Sequence, residues 1–430
     1  MHPMLGRIIS AMGAGAFGQG VSILIQVGSL PLFLMYWNAE RYGTWLMLSA
    51  MPAYLSMADI GMVAAAGNRM TMEMAKGQVQ MANRVFHSAT VFMLLVTGAV
   101  AAIAGVVLLS GLTRWPAEQS LAMWLLILTV LVALFSGLSE AIFKASGRYA
   151  QGTLLGNLLR LAEWGGALLG LLVWGSFTAV AAGGLAARSL GLLLVMQHAR
   201  RHSNGLAWGW QHACRDDVRE MVRPALSFMV FPLANALTFQ GGTLLVGYLL
   251  GASAVTAFSA ARTVSRVAVQ ITSVLAHALW VEFSRLFGLA RWTELNRVYA
   301  HALRTGLLVS IVLSGVFFVL SPWLLARWTH GQVTFIPTLM AVLLVYAAVA
   351  GIWHVPRVLL MASNQHVALA PWSLAAAVLM LVGSYGLGAQ WGLVGVGVGM
   401  LMSEVAIAAI SLFLAAGLLH QPDHKQVFAS

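Results

Sequence analysis

The stretch Phe258-Ser-Ala-Ala-Arg-Thr-Val-Ser-Arg-Val-Ala-Val-Gln270 places two arginines, Arg262 and Arg266, one helical turn apart inside a long apolar run. Polar residues recur at helical spacing on one face of this run, namely Ser259, Arg262, Arg266, Gln270, Ser273 and His277. The opposite face is mostly valine, leucine and alanine. A polar stripe with two permanent cations on an apolar helix predicts a membrane span that faces a water-filled cavity.

The surrounding sequence has the composition of a membrane protein. Of its 430 residues, 60% are hydrophobic and only 9% are charged, whereas soluble domains carry roughly 25% charged residues. Because a helix needs about 20 apolar residues to cross a bilayer, we predict twelve spans: 8–36, 43–65, 86–110, 119–143, 151–173, 176–197, 224–250, 253–281, 303–326, 335–357, 367–388 and 392–417. The first span is too long for the apolar part of a signal peptide and is expected to stay in the membrane.

The positive charges alternate between the two ends of these spans. Of the 24 lysines and arginines, seventeen fall in one set of alternating intervals, four lie within spans, and three (Arg41, Arg114 and Arg327) fall in the other set. Since cytoplasmic loops carry the excess of positive charge, both termini are predicted to be cytoplasmic. The net charge of +11 is therefore explained by topology, and no nucleic-acid partner is expected.

The polar interval 198–223 divides the spans six and six. We predict an N-terminal six-helix lobe over 1–197, a cytoplasmic inter-lobe loop over 198–223, a C-terminal six-helix lobe over 224–417 and a cytoplasmic tail over 418–430. Six spans per half give both halves one orientation, which predicts a parallel repeat about a pseudo-two-fold axis along the membrane normal. At an offset of 213 residues Gly28 aligns with Gly241, with Gln26 and Gln240 one residue out of register. The expected fold is an all-α polytopic membrane protein with a central cavity.

Spans 1 and 7 occupy corresponding places in the two halves and are the most interrupted by glycine and proline. Pro31 and Pro232 each remove a backbone donor within a span, which predicts a bend. Gly241 and Gly242 follow in span 7. Paired interrupted helices of this kind indicate a substrate path, while the alternative is that the glycines only permit close helix packing.

The arginine pair of span 8 is the sharpest functional signal in the sequence. An arginine at the centre of a span costs about 2.5–3.5 kcal/mol on insertion scales. Two guanidinium groups on one face offer paired donors that suit a phosphate. No acid lies on this span before Glu282 at its inner edge. The alternative is that each arginine bonds the end of a helix or an acid on a neighbouring span.

Span 5 carries a second polar face, formed by Asn157, Arg160 and Trp164. This face could line the same cavity from the first half of the chain. Glu163 follows Arg160 at i,i+3, so an ion pair within the helix is the alternative role for this arginine.

The remaining acids and Arg188 within spans receive more local interpretations. Asp59, near the cytoplasmic end of span 2, is predicted to brace helix ends, with binding of a coupling cation as the alternative. Glu140 is expected to pair with Lys144 at i+4. Arg188 and Glu404 have no polar stripe around them and are expected to serve packing or snorkelling.

Motifs for catalysis and cofactor binding are missing from the sequence. It contains no Walker A motif, HExxH motif or glycine-rich nucleotide loop, so neither ATP drive nor a cofactor is expected. The single cysteine, Cys214, excludes a disulfide within the chain, and no metal site is predicted. The predicted external loops are too short for a catalytic constellation, so the chain is not expected to be an enzyme.

Three stretches carry a resemblance to a known family: PLFLMYWNAERYGTWLMLSAMPAYLSMADIGM (31–62), GASAVTAFSAAR (251–262) and QWGLVGVGVGMLMSE (390–404). They resemble the polysaccharide-export flippases of the multidrug/oligosaccharidyl-lipid/polysaccharide (MOP) superfamily, with the O-antigen type the most similar. The resemblance extends from about residue 8 to residue 417.

The resemblance implies two six-helix lobes around a central cavity that opens alternately to the two sides of a bacterial inner membrane. The implied cargo is an oligosaccharide on polyprenyl diphosphate, moved from the cytoplasmic to the outer leaflet for O-antigen (lipopolysaccharide) or exopolysaccharide biosynthesis. Membrane lipid, a polysaccharide polymerase and glycosyltransferases are the implied partners. The expected substrate-binding residues are Arg262, Arg266, Gln270, Arg160, Gln26 and Gln240, and Asp59 is the candidate for ion coupling.

Two other functions compete with flipping. A drug or cation antiporter of the same fold would require an acidic cavity, which the arginines of span 8 disfavour. A membrane glycosyltransferase or O-antigen ligase is the alternative among enzymes, and it predicts transfer activity by the purified chain alone.

Overall fold

The computed structural model describes residues 3–110, 115–203, 205–363 and 365–420, and the chain is all-α within these ranges. It divides into two compact units, Met1–Leu233 and Ala234–Ser430. The interval predicted as a loop, 198–223, is shorter in the structure, because the helices on either side extend to His202 and begin again at Arg215. Arg114, Lys425 and most of the predicted tail lie outside the described residues.

The described residues of the first unit form seven α-helices and most of an eighth. They are α1 (Pro3–Leu34), α2 (Ala39–Ala53), α3 (Met62–Ala75), α4 (Val79–Leu109), α5 (Ala117–Ala145), α6 (Tyr149–Trp174), α7 (Phe177–His202) and α8 (Arg215–Ala236). Helices α5, α6 and α7 pack on one another, α1 packs on α6, and α3 packs on α4 and α5. The chain passes into the second unit near the end of α8.

The second unit begins at Ala234 and contains a π-helical turn, Leu237–Gly241, that interrupts span 7. Its helices are α9 (Gly242–Leu250), α10 (Ala252–Ala278), α11 (Trp280–Gly288), α12 (Trp292–Trp328), α13 (Pro337–Ala362) and α14 (Ala370–His420). Helix α13 packs against α10, α12 and α14. Gly392 has φ 60° and ψ −139° and breaks α14 into two helices, as the prediction of separate spans over 367–388 and 392–417 requires.

All twelve predicted spans contain α-helix, which confirms the all-α polytopic fold. Nine segments of the described residues are long and apolar enough to cross a membrane, and the segment Val367–His420 holds both halves of α14. Helices α6 and α10 are not among the nine. Both carry polar faces, with Arg160 on the first and the arginine pair on the second.

The span predicted over 43–65 lies within one apolar segment, Ala39–Ala75, whose helix is interrupted. Helix α2 ends at Ala53, and α3 begins at Met62 after a turn in which Ile60 and Gly61 have φ of 52° and 75°. The Asp59 carboxylate accepts hydrogen bonds from the backbone nitrogens of Gly61 (3.1 Å) and Val63 (3.4 Å). It therefore caps α3 locally instead of leaving these donors to a continuous helix.

Close backbone approach fixes α6 against α7. A Cβ at Gly166 or Gly170 would collide with backbone atoms of Gly183 or Ala179 on the facing helix. Small residues four apart allow two helices to approach in lipid, where van der Waals packing replaces the hydrophobic effect. This contact holds the polar face of α6 in a fixed place.

The segment between α7 and α8 is an ordered part of the first unit. Asn83 on α4 bonds the backbone of Gly205 and Ala207, and Ser88 accepts from the Cys214 nitrogen. The Asp217 carboxylate, only 2% exposed, joins Arg69 (3.2 Å) and Arg84 (2.6 Å) at the start of α8.

Replacing Asp217 by asparagine is expected to loosen this segment. The substitution leaves two arginines without their shared carboxylate, and a loss of about 1–3 kcal/mol is expected because both cations remain partly exposed. Limited proteolysis of the purified chain should show faster cleavage between residues 203 and 216. Asp216→Asn is the matched control, since Asp216 is exposed; equal cleavage rates of the two variants would contradict the role of Asp217.

Candidate functional site

Arg262 is enclosed within the second unit and its donors are engaged. It is 9% exposed. Its Nη1 donates to the backbone oxygen of Phe239 (3.0 Å) and its Nη2 to Thr243 Oγ1 (2.8 Å). The rings of Phe239 and Phe258 lie 5.7 Å and 5.2 Å from its guanidinium carbon. Arg262 thus stabilises the π-helical turn of the interrupted helix, which is the kind of backbone contact that the sequence left open as an alternative.

Arg266 stands one turn further along α10 and is only half-buried. Its guanidinium carbon lies 4.3 Å from the centre of the Phe239 ring, a cation–π contact. Among the described residues it has no ion pair and no hydrogen bond. Arg266 is therefore the cation of the pair whose hydrogen-bond donors remain available for a ligand.

The predicted glutamines of the second unit are Gln240, which neighbours the Phe239 that contacts both arginines, and Gln270 on the helix of the arginines. Gln240 is half-buried in the π-helical turn, next to Phe239. Gln270 is half-buried on α10, one turn after Arg266 on the same face. The structure therefore collects Arg266, Gln240 and Gln270 around the broken helix and the helix that follows it.

In the first unit, the predicted face of α6 packs against a polar face of α1. Arg160 Nη1 donates to Ser22 Oγ (3.2 Å) and to Asn157 Oδ1 (3.4 Å). Trp164 Nε1 donates to Ser29 Oγ (2.9 Å). Gln26 is half-buried on α1 between Ser22 and Ser29. Arg160 and Gln26 therefore belong to one hydrogen-bonded surface within this unit.

Glu163 does not pair with Arg160, because it has a partner on another helix. Its Oε2 lies 3.3 Å from Nη1 of Arg188 on α7. Arg188 is only 7% exposed, and Glu140 of α5 lies within electrostatic reach of both Arg160 and Arg188. The predicted pair of Glu140 with Lys144 is likewise not formed in the described part of the chain, where Lys144 instead donates to Asn68 Oδ1 (2.5 Å).

Charge is thus distributed unevenly between the units. In the first, Glu140, Arg160, Glu163 and Arg188 form a network of two acids and two bases on adjacent helices. In the second, the acid on the spans is Glu404, which accepts from Trp353 Nε1 (2.6 Å). Tyr346 lies within electrostatic reach of Glu404 and of both arginines. The arginine pair therefore keeps an excess of positive charge that the first unit lacks.

Solved structures resemble this chain over nearly its whole length, although no protein-family model and no curated protein matches its sequence. An inward-facing multidrug resistance MATE family transporter of the MOP superfamily gives a TM-score of 0.75 at 11% identity, covering 92% of this chain and 94% of that chain. The lipid II flippase MurJ gives 0.68 at 13%, covering 95% and 87%. A MOP superfamily transporter from Pyrococcus furiosus, described as having a binding pocket of reverse polarity, gives 0.66 at 12%, covering 96% and 95%.

The chain shares the fold of these solved structures. The three structures named above are transporters and a flippase, and the chain is a multi-pass membrane protein with their architecture. At such low identity the likeness concerns the fold, so the role of each site residue rests on the geometry of this chain.

Several residues of the candidate site are not evident from the sequence. Phe239 supports both arginines, Thr243 bonds Arg262, and Tyr346 lies on α13 far away in the chain. Only Phe239 had a local signal, because it precedes the Gly241-Gly242 pair in an interrupted span. Asp59 is separate from these groups and lines a cavity of about 310 Å³ in the first unit, together with Glu140 and Lys144.

Proposed function

We propose that this chain is a flippase that moves an oligosaccharide linked to polyprenyl diphosphate from the cytoplasmic to the outer leaflet of a bacterial inner membrane. Transport would proceed by alternating access, in the biosynthesis of O-antigen or another surface polysaccharide. The observation that carries the proposal is Arg266, a membrane-embedded cation that has no acid partner among the described residues and rests on the Phe239 ring.

A diphosphate is the anion that this arrangement suits. Arginine offers several donors in a planar fork that matches phosphate oxygens. Arg262 is held by hydrogen bonds to Phe239 and Thr243, one helical turn from Arg266. It adds positive potential to the site and stabilises the interrupted helix. A headgroup with two or more negative charges would compensate both cations, which a neutral or cationic drug would not.

The glycan requires hydrogen-bonding groups rather than charge. Gln240 and Gln270 in the second unit, and Gln26 with Arg160 in the first, supply amide and guanidinium donors for sugar hydroxyls. The prenyl chain can stay in the lipid while the headgroup crosses. A polysaccharide polymerase and glycosyltransferases would be the partners of such a flippase, and both chain termini would be cytoplasmic.

Drug or cation export is the second candidate, and one observation favours it. The cavity of about 310 Å³ in the first unit is lined by two carboxylates, Asp59 and Glu140. Lys144 lines the same cavity, and the Asp59 carboxylate already accepts two backbone hydrogen bonds. We rank this function second because these contacts reduce the negative charge available to a cationic drug.

A deletion strain distinguishes the two functions. Loss of the gene is expected to remove the surface polysaccharide and to leave its lipid-linked precursor on the cytoplasmic side, and the intact chain should restore the polysaccharide. The minimal inhibitory concentrations of cationic drugs should stay within twofold. A deletion that leaves the surface polysaccharide intact and sensitises the cells to such drugs would decide for drug export.

A further inference from the structure

A second candidate binding site lies in the second unit, in an apolar groove of about 460 Å³ between α10, α12 and α13. Small or apolar side chains from all three helices line it, among them Ala276, Leu279, Ala302, Gly306, Gly351 and Val355. Small residues create the space. A Cβ added to Gly306 would lie 3.6 Å from Val355 Cγ2 and 3.7 Å from the Gly351 oxygen, so any larger side chain there would extend into the groove.

One end of the groove is cationic. Arg297 and His301, one turn apart at the start of α12, belong to its lining, and Arg304 follows on the same helix. The Nδ1 atom of His301 donates to the backbone oxygen of Arg297 (2.9 Å), so the neutral ring offers only an acceptor, Nε2, on its other side. Arg291 is paired with Glu294 (3.4 Å), whereas Arg297 and Arg304 have no ion pair among the described residues.

The groove adjoins a surface of the kind that faces lipid. Leu308 on α12, beside the lining residues Thr305 and Val309, is 63% exposed. By the distribution of positive charge, the start of α12 is predicted to be cytoplasmic. Basic pockets between transmembrane helices on that side hold the headgroups of anionic lipids. An apolar groove with unpaired cations at one end is complementary to an acyl chain that carries an anionic headgroup.

We propose that this groove binds an anionic phospholipid of the cytoplasmic leaflet. Its phosphate would lie against the guanidinium of Arg297, next to His301, and an acyl chain would follow Ala302, Gly306 and Gly351. The proposal does not rest on the flippase function. On α10 the groove is also lined by Thr272, which follows Arg266 by six residues and, at about 100° per residue, lies about 120° around the helix from it.

Native mass spectrometry of the purified full-length chain tests the proposal, with phosphatidylglycerol and phosphatidylcholine as probes. Wild type should retain one phosphatidylglycerol at concentrations where phosphatidylcholine is lost. Arg297→Gln/His301→Gln and, separately, Gly306→Leu should weaken retention about tenfold. Arg291→Gln changes a paired arginine outside the groove, and Gly315→Leu makes the same change on α12 where no atom lies within 4 Å. Both controls should bind as wild type does.

Two outcomes would overturn the proposal. The first is unchanged retention of phosphatidylglycerol by the Arg297→Gln/His301→Gln variant. The second is that Gly306→Leu weakens binding of polyprenyl diphosphate but not of phosphatidylglycerol, which would make the groove a site for the prenyl chain. If Gly306→Leu does not fold, comparing the Arg297→Gln/His301→Gln variant with its Arg291→Gln control still tests the proposal.

Discussion

Replacing Arg266 by alanine is expected to abolish the surface polysaccharide while the protein remains inserted and abundant. The guanidinium of Arg266 has no hydrogen bond in the described residues, so its removal leaves no internal partner unsatisfied. A charge-assisted hydrogen bond contributes about 1.5–3 kcal/mol, which corresponds to roughly 10- to 150-fold weaker binding of a phosphate group. Surface polysaccharide and the amount of protein in the membrane are the two measurements.

Arg266→Lys and Arg262→Ala are the informative companions of this variant. Lysine keeps the positive charge but lacks the paired donors of a guanidinium group, so partial display of the polysaccharide is expected.

Arg262→Ala removes a buried side chain that bonds Phe239 and Thr243. It should therefore lower the melting temperature in detergent, which Arg266→Ala should not. The double alanine variant should likewise lose the polysaccharide. Normal display by Arg266→Ala at wild-type protein levels would exclude the proposed role.

Replacing Glu163 by leucine is expected to destabilise the first unit strongly. The substitution leaves the guanidinium of Arg188, which is only 7% exposed, without its carboxylate. Removing one member of a buried ion pair costs about 3–5 kcal/mol, whereas replacing both members by apolar residues is often neutral. The lower end of that range is expected here, because Glu163 is 35% exposed and Glu140 stays within electrostatic reach of Arg188. The melting temperature of Glu163→Leu should therefore fall by several degrees, and the Glu163→Leu/Arg188→Leu variant should recover most of it.

Glu163→Gln serves as the matched control, because glutamine keeps the shape and an acceptor oxygen for Arg188. It should fall between wild type and Glu163→Leu. If the double leucine variant is no more stable than Glu163→Leu, the two residues are not coupled, and the ion pair does not explain the stability of this part of the protein.

The spans of this fold are predictable from the sequence because they depend on local hydropathy. Every predicted span contains helix, and even the break near Gly392 follows from an interruption of the apolar pattern. The break at Asp59 was missed because the Asp59 and Gly61 turn lies inside an apolar run. Its cause is a side-chain cap and two left-handed residues, which hydropathy does not report.

The ion-pair partners of the charged residues were harder to predict from the sequence than the spans. Spacing along one helix favours local pairs such as Arg160 with Glu163, yet the structure selects Arg188, 25 residues further along the chain. The stripe on α10 was visible because all its members share one helix. That Arg262 is hydrogen-bonded within the protein while Arg266 is not could not be predicted from the sequence. The bonds of Arg262 go to the Phe239 oxygen and to Thr243, at and just after a turn whose π-helical form the sequence does not specify.

The position of Phe239 links ligand affinity to helix shape. Its backbone oxygen accepts from Arg262, and its ring supports Arg266. Any unwinding of the π-helical turn would therefore move both supports of the arginine pair together. By reciprocity, a headgroup that binds one form of the turn tenfold more tightly must favour that form by the same factor, about 1.4 kcal/mol. Such a turn could convert occupancy of the site into a preference for one conformation of the chain.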